Sequence, residues 1–310
     1  MKLIDLHCDT PSALYEHKAS LERNDLHVDL EKTEPFSAYI QVAAYYTSYQ
    51  VRNADGMDLV RAYHGYFSQA VNAAANAVMI NDAKGLKAAA ESGKRGFLPA
   101  VEDLRIINGD LQNLQELRDM GVRIVTPLWG GTSIIGGAWN SQDRLTDFGR
   151  ETVRAALSLG MIPDVSHASP DSTDEIAALC REAGKPCFAS HSCSYMECRH
   201  PRNMVYSQLR AVADCGGIVG INLYPIFLCG LDRARLDDAV RHIRYIKSIT
   251  GIDGVAIGSD FDGVDCLPAG VTSVRDLPHL ADRLSFHEFT DDEIEKIFFT
   301  NAYRFLMENL

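Results

Sequence analysis

The chain has 310 residues, of which 46% are hydrophobic and 23% charged, with a formal net charge of -12. That is enough apolar material for a large core, and an acidic surface repels phosphate backbones and anionic lipid, which argues against nucleic acid and membrane partners. No run approaches the ~18 uninterrupted apolar residues of a membrane span. The start, MKLIDLHCDT, carries no apolar stretch leading to a small-residue cleavage site, so a cytoplasmic protein is expected. None of the eight cysteines forms a C-x-x-C pair, which speaks for reduced thiols and against a structural zinc knuckle.

In chain order, eight runs read as strands: 2–6, 38–44, 96–101, 122–126, 161–165, 186–189, 217–222 and 255–258. Most are continuously apolar, as expected of parallel strands covered on both faces. Helical patterns lie between and after them at 57–80, 112–120, 148–159, 172–183, 207–214, 237–249, 277–285 and 291–307. Thr290 ahead of Asp291, Asp292 and Glu293 is a good N-cap, and Pro170 with Asp171 and Ser172 marks another start. Alternating β and α predicts a parallel sheet, and eight strands favour a closed (β/α)8 barrel of the TIM type over an open sheet. With no internal repeat, low-complexity segment or linker, residues 1–310 read as one domain. The Gly-rich loop 129–143 follows the fourth predicted strand and should cover the C-terminal mouth.

Polar residues gather at the C-terminal ends of these strands, where barrel active sites are built. His7 and Asp9 close the first strand, Glu102 the third, His167 follows the fifth, His191 the sixth, and Asp260 the eighth. Taken singly, each has a plain structural explanation. An H-x-D pair is a ligand pair only about one time in five. Glu102 could cap a turn, and Asp260 with Asp262 could shape an Asx-turn before Gly263. Their coincidence at one mouth is what favours a divalent-metal site, and imidazole with carboxylate suits a catalytic zinc. Five ligands exceed what one such zinc takes, so two metals sharing a carboxylate at ~3.5–4 Å is the better arithmetic. The remaining histidines, His17, His27, His64, His200, His242, His279 and His287, read as surface residues.

The series DLHCDT, VED, DVSHAS, SHSCSY with RN eleven residues beyond its histidine, NLY and GSDFDGV strongly resembles the renal (membrane) dipeptidase family, in order over nearly the whole chain. The resemblance implies a metal-dependent hydrolase that cleaves dipeptides with a free C-terminal carboxylate and tolerates a D-residue there. It implies two zinc ions, one held by His7 and Asp9 and the other by His167 and His191. Glu102 and a water or hydroxide would bridge them, and Asp260 would handle the water's proton. Arg202 matches the arginine that pairs with the substrate carboxylate, and Tyr224 a tyrosine of the same pocket; family members are often homodimers. One departure stands out: Trp129 occupies the place of a family histidine that contacts the reacting carbonyl oxygen. An indole N–H donates a hydrogen bond but carries no charge. The alternatives are another metal-dependent barrel amidohydrolase, or a catalytically silent barrel binding metal or peptide. The first commonly uses a carbamylated lysine, and no lysine ends any predicted strand here.

Overall fold

The computed structural model describes residues 1–47 and 56–310. Nine parallel strands form one sheet: β1 (Lys2–Cys8), β2 (Ala38–Tyr46), β3 (Ala77–Met79), β4 (Arg95–Glu102), β5 (Ile124–Thr126), β6 (Ile162–Pro163), β7 (Ala189–Ser192), β8 (Val219–Ile221) and β9 (Val255–Ile257). Eight of them run in the order β6-β5-β4-β2-β1-β9-β8-β7. A parallel bridge between Asp164 and Phe188 joins the two ends, with Val165 N–H donating to the Phe188 carbonyl at 2.8 Å. The sheet therefore closes on itself as the expected (β/α)8 barrel.

Side chains of β1, β2 and β4 alternate between two cores, as the period of a strand requires. Ile4, Leu6, Ile40, Val42, Leu98 and Ala100 pack with Leu86 and Ala89 of helix Ala83–Ser92 and with Phe305 and Leu306 of the last helix. Leu3, Tyr39 and Phe97 belong to the other cluster. Gln41 shares that second parity with Tyr39. Tyr39 Oη donates to Gln41 Oε1 at 2.8 Å, Gln41 Nε2 to Thr10 Oγ1 at 2.8 Å, and Thr10 Oγ1 to Asp262 Oδ2 at 2.6 Å. Each donor of this relay is thus matched to an acceptor, as burial demands.

The expected strands and helices are all present near their predicted places, but the region 57–80 divides. Its helix spans Gly56–Ala73, and Ala77–Met79 become β3. The reason is an open edge: β5 pairs only with the C-terminal half of β4, and β3 takes the half that remains, with Ala77 opposite Arg95 and Met79 opposite Phe97. Two helices absent from the sequence reading, Thr10–His17 and Ala83–Ser92, complete the barrel layer. Thr290 is an N-cap with Glu293 closing the box; the other cap is Ser169, one residue before Pro170. All eight cysteines are free thiols.

The surface assignment of the remaining histidines needs correction at His242, which is fully buried. It falls on the apolar stripe of helix Leu236–Thr250, beside Ala239, Ile243 and Ile246. Its Nδ1 accepts from the Ser194 N–H at 2.9 Å and its Nε2–H donates to the Leu228 carbonyl at 2.9 Å, so it ties two loops to the helix. His27, His64, His200 and His287 are half-buried; His17 and His279 are exposed.

Burial lowers the His242 pKa from 6.5 to about 4. Above pH 6.5 it is neutral in both folded and unfolded chains. As pH falls toward 4 the unfolded chain takes up a proton that the folded one refuses, and stability drops. Urea unfolding at pH 7.5 and pH 5 should show the wild type losing about 2 kcal/mol more than His242→Gln, which keeps a donor and an acceptor but does not titrate. Equal losses would contradict the assignment.

Candidate metal centre and active site

All six expected chemical groups converge at the C-terminal mouth. His7 lies in β1 and Asp9 just beyond it, Glu102 ends β4, His167 follows β6, His191 lies in β7 and Asp260 follows β9. His7 and His191 are 1% exposed, Glu102 3%, Asp9 4% and Asp260 9%.

Glu102 lies between two sets of ligands. Its Oε2 is 3.5 Å from His7 Nε2, which is itself 3.8 Å from Asp9 Oδ2. Its Oε1 is 2.8 Å from His167 Nε2 and 3.5 Å from His191 Nε2. Two triads with metal-ligand spacing result, His7–Asp9–Glu102 and Glu102–His167–His191, sharing one carboxylate; a third group brings Asp260 to His7 and His191. The His7 and His191 rings stack at 3.8 Å.

Neighbouring groups fix which nitrogen of each imidazole is bare. His167 Nδ1–H donates to the Trp129 carbonyl at 3.0 Å, leaving the Nε2 lone pair toward Glu102. Ser190 Oγ donates to Asp164 Oδ2 and therefore accepts from His191 Nδ1–H at 2.7 Å, which bares the second Nε2. Asp164 also accepts from Thr126 Oγ1 and from the Ser166 and Ser190 N–H groups, so it holds the ends of β5, β6 and β7 together. Asp5 does the same for β1 and β9, accepting from the Ser259 N–H at 2.9 Å and from Ser259 Oγ.

The backbone is bent to present these groups. The register of β1 against β2 shifts between Asp5 and Cys8, and that of β7 against β8 between Ala189 and Ser192. Such bulges re-aim side chains, and both fall on histidine-bearing strands. The Ser190 carbonyl turns in over Gly220 and Gly258, where a Cβ would stand 2.0 and 1.8 Å from its oxygen. His167 (φ +71°) and Asp260 (φ +67°) adopt left-handed backbone, which costs a non-glycine residue about 1–3 kcal/mol. At Gly263 a Cβ would lie 1.9 Å from Asp9 Oδ2, so no side chain fits against that carboxylate.

The electrostatics of the site call for cations. Burial, with the Glu102 charge beside it, pushes Asp9 up to about 7 and Asp260 up to about 6. Burial also opposes a charge on His7, but Glu102 and Asp9 outweigh it and hold its pKa well above the usual value. His167 is lowered to about 4 by burial and by Arg202. The bare Nε2 atoms of His167 and His191 lie 2.9 Å apart beside the same carboxylate oxygen, a corner satisfied only by a cation or a proton. His7 Nε2 and Asp9 Oδ1 are buried without a hydrogen-bond partner. Two divalent ions fit this donor set, and its imidazole and carboxylate ligands, with no thiolate, suit zinc.

A cavity of about 370 Å³ opens over the ligands, lined by Asp9, Glu102, His167 and Asp260 on one side. The rest of its wall includes Tyr46, Trp129, Tyr224, Phe227 and Asp265. The Trp129 ring stacks near His167 at 5.9 Å and near Tyr46 at 5.2 Å. Asn222 Nδ2 donates to Asp260 Oδ2 at 2.8 Å. Arg202 is 3% exposed, and its guanidinium is bound to the Ser192 hydroxyl at 3.1 Å and the His191 carbonyl at 2.9 Å. It does not line the open cavity. Phe227, which does, lies over it at 5.6 Å, and Arg202 Nε is left without a partner. Asp262 plays no part at the ligands; it accepts from Thr10 Oγ1 and the His27 N–H.

Sequence reasoning assigned no role to Asp5, Asp164, Asn222, Tyr46, Phe227 or Asp265. A signal exists for the first two, each an acidic residue in an apolar strand two or three positions before a candidate ligand histidine.

A family model described as membrane dipeptidase (peptidase family M19) matches residues 1–309. An uncharacterized protein from the pqqA 5' region of Klebsiella pneumoniae is 34% identical over 218 residues, 66% of this chain and 79% of that protein. An uncharacterized dipeptidase of Schizosaccharomyces pombe is 31% identical over 210 residues, 66% of this chain, and the match spans only about half, 51%, of that protein's length. A crystal structure of a metallopeptidase from Rhodobacter sphaeroides, bound to a phosphinate mimic of the dipeptide L-Ala-D-Ala, shares the fold at a TM-score of 0.92. That likeness covers 100% of this chain and 99% of the other at 22% identity. The match along all but the last residue settles the assignment: the chain belongs to the membrane dipeptidase family, peptidase family M19.

Proposed function

We propose that this protein is a dipeptidase working with two zinc ions, and that it hydrolyses dipeptides bearing a free C-terminal carboxylate, of either hand at that residue. The observation that carries the reading is the shared carboxylate: each oxygen of Glu102 faces its own set of imidazole and carboxylate ligands. Zinc ions bound there supply Lewis-acid polarisation of a carbonyl and bring a water's pKa toward ~7.

The chain's own residues supply the rest. Asp260, raised to about 6 by burial and by Glu102, faces His7 at 4.0 Å and is held by Asn222. A carboxylate with its pKa near the working pH takes a proton from the attacking water and returns it to the leaving amine. Asn222 leaves Asp260 Oδ1 for that exchange by occupying Oδ2. Arg202, whose Nε has no partner, offers its remaining hydrogens to the substrate carboxylate once Phe227 shifts aside. The Trp129 ring lies against His167 and beside Tyr46, and Tyr224 lines the same cavity.

Zinc-loaded protein should hydrolyse L-Ala-L-Ala and L-Ala-D-Ala in a chelator-sensitive way and spare a tripeptide, measured side by side by release of free alanine. Failure of the fully metallated protein on both dipeptides would overturn the reading. Asp260→Asn should lower kcat by roughly a hundredfold or more while both metals stay bound, as elemental analysis would record. Near-native turnover in that variant would remove Asp260 from the proton transfer.

A further inference from the structure

The cavity has four acidic residues in its wall, and three of them, Asp9, Glu102 and Asp260, belong to the metal-binding groups. The fourth, Asp265, belongs to none. It is exposed where the other three are buried, which puts it at the mouth. Burial, helped by the Asp265 charge, pushes the neighbouring Tyr224 hydroxyl up to about 12, and Tyr224 packs edge-on to Phe227 with ring centres 4.9 Å apart. Tyr46 and Trp129 line the same cavity. A carboxylate set among aromatic walls is a recognition element for an organic cation.

Covalent geometry decides which cation reaches it. The α-ammonium nitrogen of a dipeptide is two bonds from the scissile carbon, a distance of about 2.5 Å. When that carbon sits at the ligands, the α-ammonium stays with it among Asp9, Glu102 and Asp260. An exposed carboxylate at the mouth is then open to a side chain of the substrate. A lysine or arginine side chain has the length and the charge, and its methylenes would lie along the aromatic rings.

Resting on the dipeptidase reading, we infer that Asp265, with Tyr224 beside it, selects dipeptides in which one residue carries a basic side chain. Asp265 is a specificity residue; it touches neither the scissile bond nor the metal ligands' donor atoms.

The test compares kcat/KM for Lys-Ala and Ala-Lys with their norleucine counterparts, which keep the chain length and lose the charge, in zinc-loaded wild type, Asp265→Asn and Asp265→Lys. At one of the two positions the wild type should favour lysine over norleucine by about three- to tenfold, the range of a partly exposed ion pair reinforced by an aromatic face. The ratio should fall toward one in Asp265→Asn, and Asp265→Lys should favour a glutamyl over a lysyl side chain. A wild type indifferent to the charge overturns the inference. So does a lysine-to-norleucine ratio that survives in Asp265→Asn, including the case where both rates fall together. If norleucine dipeptides are hydrolysed and the ratio is flat, only the role of Asp265 fails; if no dipeptide is hydrolysed, the parent reading fails with it.

Discussion

Three carboxylates and three imidazoles meet in a buried space, and Glu102 joins the triad of His7 and Asp9 to that of His167 and His191. A buried charge survives only where it is paired. Here burial and mutual repulsion drive Asp9 and Asp260 toward protonation, while Glu102 is held ionised against its own burial, chiefly by the charge on His7. Arg202 brings one positive charge near the cluster while its guanidinium also bonds the Ser192 hydroxyl and the His191 carbonyl. Divalent cations are the economical way to neutralise such a cluster, and one carboxylate with an oxygen on each side is the way to hold two. The remainder of the structure keeps that arrangement in place.

It does so by rigid means. Two buried aspartates, Asp5 and Asp164, bracket the strand ends that carry His7, His191 and Asp260, each accepting from backbone N–H groups on two segments. Bulges in β1 and β7 turn histidines that a regular strand would misdirect. Left-handed backbone at His167 and Asp260 places strain beside the ligands, and the dense hydrogen bonding around them keeps it there. Glycine at 263 gives the Asp9 carboxylate room that any other residue would fill. Precision at the site thus comes from the barrel wall, while part of the cavity wall, Trp129 and Asp265 among it, is loop free to set substrate preference.

Much of this was legible in the sequence because a barrel separates its functions by position. Apolar runs marked the strands, and polar residues at their ends marked the mouth. His7, Asp9, Glu102, His167, His191 and Asp260 stand among those strand-end residues, with Asp262 beside them; which of them are ligands, and what Asp260 does, is implied only by the family resemblance. What stayed hidden depended on pairing across the fold. β3 was absorbed into a helix because Ala-rich sequence flows into it without a break, and only the open edge of β4 makes it a strand. Asp5 and Asp164 looked like further members of polar strand ends, since nothing local says that their partners are backbone amides. His242 was misplaced for a different reason: the stripe of Ala239, Val240, Ile243 and Ile246 was there to be read, and a lone histidine was judged by its type and not by its face. Tyr46 and Asp265 come from distant segments and share a wall only once the barrel closes.

The central claim is that one carboxylate holds two metal ions. Metal content per chain, by elemental analysis of gel-filtered protein equilibrated with zinc, tests it directly when wild type and Glu102→Ala are compared at matched secondary structure. Two zinc ions per wild-type chain, falling to one or fewer in the variant, is the predicted result. A single zinc in the wild type, or two retained without Glu102, would contradict the account.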